Sequence, residues 1–191
     1  MTTISKAAQQ AAAERARIRI ELWRLALPVL WFGMVAAISF IEAPLKFQAP
    51  GITIPLGLGI GRLVFAVLNI VEAAILLTLT LLSFWPVSAR IEGKRLLIWF
   101  GLILVFAAKV AGVRPPLNAR TDMVLEGADP GQSPWHYVYI ACDLVTLVLL
   151  VLFALSAGRA ILRSPALTRR SSALSPYPAS PQGIDQVMGQ T

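Results

Sequence analysis

LVFAVLNIVEAAILLTLTLLSFWPV, residues 63–87, is apolar almost throughout, yet it holds Asn69 and the carboxylate Glu72. At a helical rise of ~1.5 Å per residue, the run is long enough to cross a hydrocarbon core of ~30 Å. Backbone amides find no water in lipid, so a spanning chain must close its hydrogen bonds within a helix or a sealed barrel. A carboxylate at that depth costs several kcal/mol unless it is protonated, paired or wetted. Glu72 therefore marks either a function or a packing lock.

Three further runs share this character. The sequence predicts spans at 22–43, 61–85, 96–113 and 136–158, hence an all-α protein built as a four-helix transmembrane bundle with short connections. Composition agrees: 57% of the residues are hydrophobic and 14% are charged, where a soluble domain carries roughly 25%. The third run is short, and Lys109 near its end is placed to snorkel to the interface. Residues 1–21, rich in alanine, read as an interfacial helix that feeds the first span and is retained, not cleaved as a leader. Beyond residue 164 the chain turns to Ser, Pro, Gln and Gly without apolar periodicity, and 159–191 are expected to form a disordered tail. The two halves do not resemble each other, which argues against an inverted-repeat transporter within one chain.

Loop charges orient the bundle. Lys6, Arg15, Arg17, Arg19 and Arg24 lie at the first span's start, Arg90, Lys94 and Arg95 between the second and third, and Arg159, Arg163, Arg169 and Arg170 after the fourth. Twelve of the 17 basic residues thus share one side, which by the positive-inside rule is the cytoplasm, with both termini. Topology accounts for the net charge of +7. A nucleic-acid partner would need a clustered basic face on a soluble fold, so none is expected. The expected location is the plasma membrane of a bacterium (its inner membrane). The lipid bilayer is the first partner, with a homo-oligomer or a membrane complex beyond it.

The opposite side carries the more informative residues. Pro44, Pro50 and Pro55, with Gly51, Gly57, Gly59 and Gly61, argue against a regular helix between the first two spans. That apolar stretch is expected to pack on the helix ends as a lid or short re-entrant segment. Were it helical, Gly57 and Gly61 would permit close backbone approach. Glu72 lies about 15 Å deeper than Arg62, and Asp143 about 10 Å deeper than His136, at helical rise. Lys109 approaches the same leaflet, and Asn69 shares a helix face with Glu72. The expected result is a buried polar cluster of Asn69, Glu72, Lys109 and Asp143, with Lys109 paired to Glu72 or Asp143 and cytoplasmic halves almost without charge. Glu42, Lys46, Arg62, Arg114, Arg120 and His136 are the outer-surface candidates. The cluster reads first as a register lock and, as the alternative, as a proton or cation site.

Enzyme readings fare worse. His136 is the sole histidine and Cys142 the sole cysteine, so bis-histidine haem, multi-histidine zinc, cysteine clusters and an intrachain disulfide are all excluded. His136, beside Pro134, Trp135, Tyr137 and Tyr139, reads as part of an interfacial aromatic belt. Ser39, Ser83 and Cys142 lack an evident histidine–acid set for nucleophilic chemistry. No catalytic residue, metal or cofactor is expected.

Three segments look familiar together: Ser39-Phe40-Ile41-Glu42-Ala43-Pro44-Leu45-Lys46-Phe47; Gly61-Arg62-Leu63-Val64-Phe65 with Asn69 and Glu72; and Arg114-Pro115-Pro116-Leu117-Asn118-Ala119-Arg120 followed by Ser133-Pro134-Trp135-His136-Tyr137. Over roughly residues 25–155 the chain resembles a group of small uncharacterised bacterial four-span inner-membrane proteins. More distantly, it is similar to the four-span domain of unknown function that includes a eukaryotic protein linked to platinum-drug resistance. The resemblance implies the fold and carries no activity. In that group a lysine often follows the histidine by about ten residues; here Thr146 stands near that place. If that charge matters to the group, the resemblance implies that Lys109 substitutes for it or that part of the group's activity is lost. The leading expectation is a non-enzymatic integral membrane protein, structural or accessory, with an outward-facing polar pocket. The alternatives are a small oligomeric transporter or channel using the buried charges, and an accessory subunit of a redox or quinone-handling complex.

Overall fold

A computed structural model describes residues 2–163 apart from 130 and 132. Every regular element among them is helical. Helix α1, Thr2–Val35, runs without a break into a π-helical stretch, Ala36–Glu42, then a short turn, Ala43–Leu45, and a 3-10 turn, Lys46–Gln48. Helix α2 is Ile54–Phe84. Helix α3, Lys94–Ala107, continues through a second π-helical stretch, Ala108–Val113, into α4, Arg114–Leu125. Helix α5 is Pro134–Leu162. Four continuous rods, Ala8–Gln48, Ile54–Phe84, Lys94–Leu125 and Pro134–Leu162, are each long and apolar enough to cross a membrane. All four expected runs are present, and each is longer than its apolar stretch.

Local chemistry sets the starts. Thr53 Oγ1 accepts from Leu56 N at 3.4 Å and Pro55 occupies the first turn of α2. Ser133 Oγ likewise accepts from Trp135 N at 3.3 Å, and Pro134 opens α5. These starts correct the expectation of a non-helical lid between the first two spans. Pro55 falls in the first turn of α2, where a missing N–H leaves no bond unmade, and Pro44 follows a π-helical stretch inside the first rod, so only residues 49–53 are irregular. Gly51, with φ of 84°, makes the turn itself. Gly57 and Gly61 are helical and serve close packing. A Cβ on Gly57 would run into the Phe47 ring, and one on Gly61 would lie 2.7 Å from Lys46 Nζ.

The four rods pack as a ring: α1 against α5, α5 against α3, and α2 against both α1 and α4. Trp31 and Val35, Ile75, Leu76 and Leu79, Leu102, and Leu150 and Phe153 form the core, with Ile91 from the α2–α3 connection. The outer faces are also apolar. Leu63, Val67, Ile70, Leu77 and Leu81 are each at least 60% exposed and follow one stripe of α2. A soluble protein rarely leaves so long an apolar surface open; a bilayer would cover it.

At the end of the bundle near both termini, charges are buried where almost none was expected. Arg24, 1% exposed, donates to Glu21 at 2.7 Å and to the carbonyls of Leu82 and Ala89, which anchors the end of α2. Arg95 grips both Glu21 oxygens, at 3.0 and 2.6 Å, and reaches Ser156 at 3.0 Å. The sign of this arrangement was in the sequence: Glu21 and Arg24 are three apart and so share a helix face. Of the expected 159–191 tail, Arg159–Leu162 complete α5, while residues from 164 onward lie outside those described.

Gly57→Leu is expected to lower thermal stability in detergent by about 1–3 kcal/mol, because Phe47 blocks the added side chain. Gly33→Ala meets no atom within 4 Å and should leave the melting midpoint unchanged or raise it. Equal effects of the two substitutions would show that the Phe47–Gly57 contact is not formed.

Candidate functional site

The site begins with the two π-helical stretches. Each ends two residues before a proline, Pro44 or Pro115. A proline ring crowds the carbonyl four residues back and offers it no N–H, and a widened turn upstream relieves both problems. The wider turn also rotates the side chains it carries. The first stretch contains Ser39 and the second Lys109. Lys109 does not snorkel: the rod continues past it, and its side chain is fully buried.

Lys109 Nζ lies 2.8 Å from each oxygen of Glu72 on α2 and 2.9 Å from Asp143 Oδ1 on α5. All three residues are 0% exposed. The expected pairing with one carboxylate is thus a triad with both. Three N–H bonds meet three acceptors, so the ammonium is fully satisfied. Two ionised carboxylates would leave one negative charge in excess, and two further donors answer it. Trp31 Nε1 donates to Glu72 Oε1 at 2.9 Å, and Ser39 Oγ donates to Asp143 Oδ2 at 2.6 Å. Asn69 joins the edge of the cluster. Its Oδ1 accepts from Tyr139 OH at 3.3 Å, while its Nδ2 is buried with no partner among the described residues. The Tyr139 ring stands 5.4 Å from Lys109 Nζ.

Above the triad, at the end of the bundle far from the termini, lies a cavity of about 460 Å³. Its volume falls within the ~300–1,000 Å³ range of small-molecule sites. Asp143 and Ser39 line it, with Phe40, Phe47, Leu58, Phe65 and Ile140 as apolar wall and Lys46, Arg62, Arg114 and His136 among its polar lining. Most of the outer-surface candidates therefore converge. Lys46 is not simply at the surface: its side chain is 11% exposed, 3.5 Å from Glu42 and 5.7 and 5.8 Å from the Phe47 and Phe65 rings. Arg62 is bound to Asp122, which sequence reading did not single out. Arg120 stands apart and donates to the Gly131 carbonyl. His136, in the first turn of α5, is exposed and touches Tyr137 edge-on. Thr146 is buried and closes its hydroxyl on the Cys142 carbonyl at 2.9 Å.

Sequence reading missed Trp31, Ser39 and Tyr139 as partners of the charges. The signal available was chemical: an indole N–H or a phenol in an apolar run needs an acceptor. The described residues hold no group of three or more His, Cys, Asp or Glu that could bind a metal ion. No protein-family model, curated protein or solved structure matches the chain.

Removing one member of a buried ion set leaves an unanswered charge and costs about 3–5 kcal/mol, whereas replacing the whole set by neutral groups is often tolerated. Lys109→Met should therefore cause a large loss of thermal stability, and the triple variant Lys109→Met, Glu72→Gln, Asp143→Asn should recover most of it. An unchanged melting midpoint for Lys109→Ala would show that the triad does not hold the bundle.

Proposed function

We propose that the chain is a multi-pass protein of a bacterial plasma membrane, with both termini cytoplasmic, that serves as a non-enzymatic accessory or binding protein. The cavity faces outward and takes a small ligand, and the buried triad fixes the helices that frame it. One observation carries this reading. Asp143 belongs to both parts, since Lys109 and Ser39 hold its two oxygens and the residue also borders the cavity. The orientation is supported by the twelve basic residues on the other side. The resemblance to bacterial four-span proteins supports the location. The N-terminal part of α1 then extends the first span into the cytoplasm, and the tail is cytoplasmic.

A transporter or channel, oligomeric because four helices enclose little space, is the second reading. The specific observation in its favour is an ionisable set contributed by separate helices and buried well inside the bundle, where charge is retained chiefly for function.

In a Cys142→Ser background, an impermeant maleimide added to intact cells should label Gln48→Cys and not Lys94→Cys; the reverse pattern would invert the topology. Gently solubilised protein should carry a small molecule detectable by native mass spectrometry, lost when Ala43→Trp fills the cavity. Wild-type protein with no such companion and no ligand-induced thermal shift would sink the binding reading. Ion flux in proteoliposomes that vanishes in Glu72→Gln would establish the transport reading instead.

A further inference from the structure

Among the described residues, Arg114 is the one strong cation of the cavity lining without an ion pair. Lys46 faces Glu42, Arg62 is bound to Asp122, and Asp143 is held by Lys109. Arg114 has neither an ion pair nor a hydrogen bond among the described residues, and it is half-buried. A guanidinium presents five N–H donors and stays charged in proteins. Its neighbours extend the pattern. Arg114, Leu117, Asn118 and Thr121 all line the cavity, and their spacing places them on one face of α4. Asn118, one turn from Arg114, likewise has an uncommitted side chain among the described residues. The aromatic residues Phe40, Phe47 and Phe65 line the same cavity.

A cation would be repelled here, a neutral polar molecule would leave the guanidinium unanswered, and a small inorganic anion would leave the apolar wall uncovered. We infer that the cavity binds a single-chain amphiphile with one acidic head, carboxylate or phosphate. The head sits on Arg114 with Asn118 and His136 beside it, and the chain lies along the aromatic wall. This inference rests on the outward-facing binding reading. The same chemistry reaches the site either as a free acid from water or as a lipid already in the bilayer.

The test uses the full chain in nanodiscs of phosphatidylcholine and a dansyl-tagged undecanoic acid as fluorescent probe. Oleate should displace the probe, with oleyl alcohol and oleylamine at least about tenfold weaker, as loss of a charged hydrogen bond implies. Arg114→Gln should weaken oleate about tenfold and leave the alcohol unaffected, while Arg114→Lys should restore part of the difference. Displacement by phosphatidic acid built into the discs, with little by added oleate, assigns the ligand to the membrane; the converse assigns it to water. If the alcohol competes as well as the acid, or if folded Arg114→Gln protein binds oleate normally, the acidic head is overturned although an outward pocket remains. Probe binding that Ala43→Trp does not reduce places the site elsewhere. Absence of probe binding, together with absence of any co-purified molecule, overturns this inference and the binding reading together.

Discussion

An ammonium group cut off from water has three N–H bonds to satisfy, and Lys109 satisfies all of them on carboxylates from two other helices. That geometry allows little slack. A shift of one residue in α2, α5 or the rod containing Lys109 would swing a carboxylate or the ammonium out of reach and leave a charge alone in an apolar interior. Dispersion between leucines cannot set register so sharply, because one apolar ridge fits a groove nearly as well as the next. The apolar core of Trp31, Leu79, Leu102, Leu150 and Phe153 supplies cohesion, and the triad selects the alignment in which that core packs. Trp31 belongs to both, since its ring fills the core while its N–H reaches Glu72.

The widened helical turns make this alignment compatible with continuous rods. A regular α-helix would bring each residue round at 3.6 per turn; the π stretches at Ala36–Glu42 and Ala108–Val113 change that phase locally. Ser39 and Lys109 both sit in these stretches and both turn toward Asp143. The prolines just beyond thus have a structural consequence well inside the bundle. They favour a wider turn, and the wider turn places a polar side chain where straight periodicity would not.

The two ends of the molecule use charge differently. Near the termini, Glu21, Arg24 and Arg95 bind one another and two backbone carbonyls, and they close that end. At the far end the charges stand around open volume, and the close passage of Gly57 and Gly61 beside Phe47 and Lys46 gives the cavity its wall. A bundle with one tied end and one hollow end is suited to receiving something from a single side.

The sequence by itself determined the helical class, the four runs and the residues of the buried cluster. Each follows from a local necessity: apolar length, the unmet amide in lipid, and the expense of Glu72 within residues 63–87. It misjudged the stretch around Pro44 and Gly57, because a widened turn carries Pro44 within the first rod, Pro55 occupies a first turn, and the glycines serve contact faces. It also overlooked the Glu21–Arg24–Arg95 knot, although the spacing of Glu21 and Arg24 was in plain view. Only the tertiary structure decided that Lys109 serves both carboxylates, that Trp31 and Ser39 complete the set, and that Arg114 lines the cavity without an ion pair among the described residues. Those outcomes depend on how far each helix has rotated when it meets its neighbours. Rotation is set by the π stretches and by contacts between residues as far apart in the chain as Ser39 and Asp143, which no local pattern encodes.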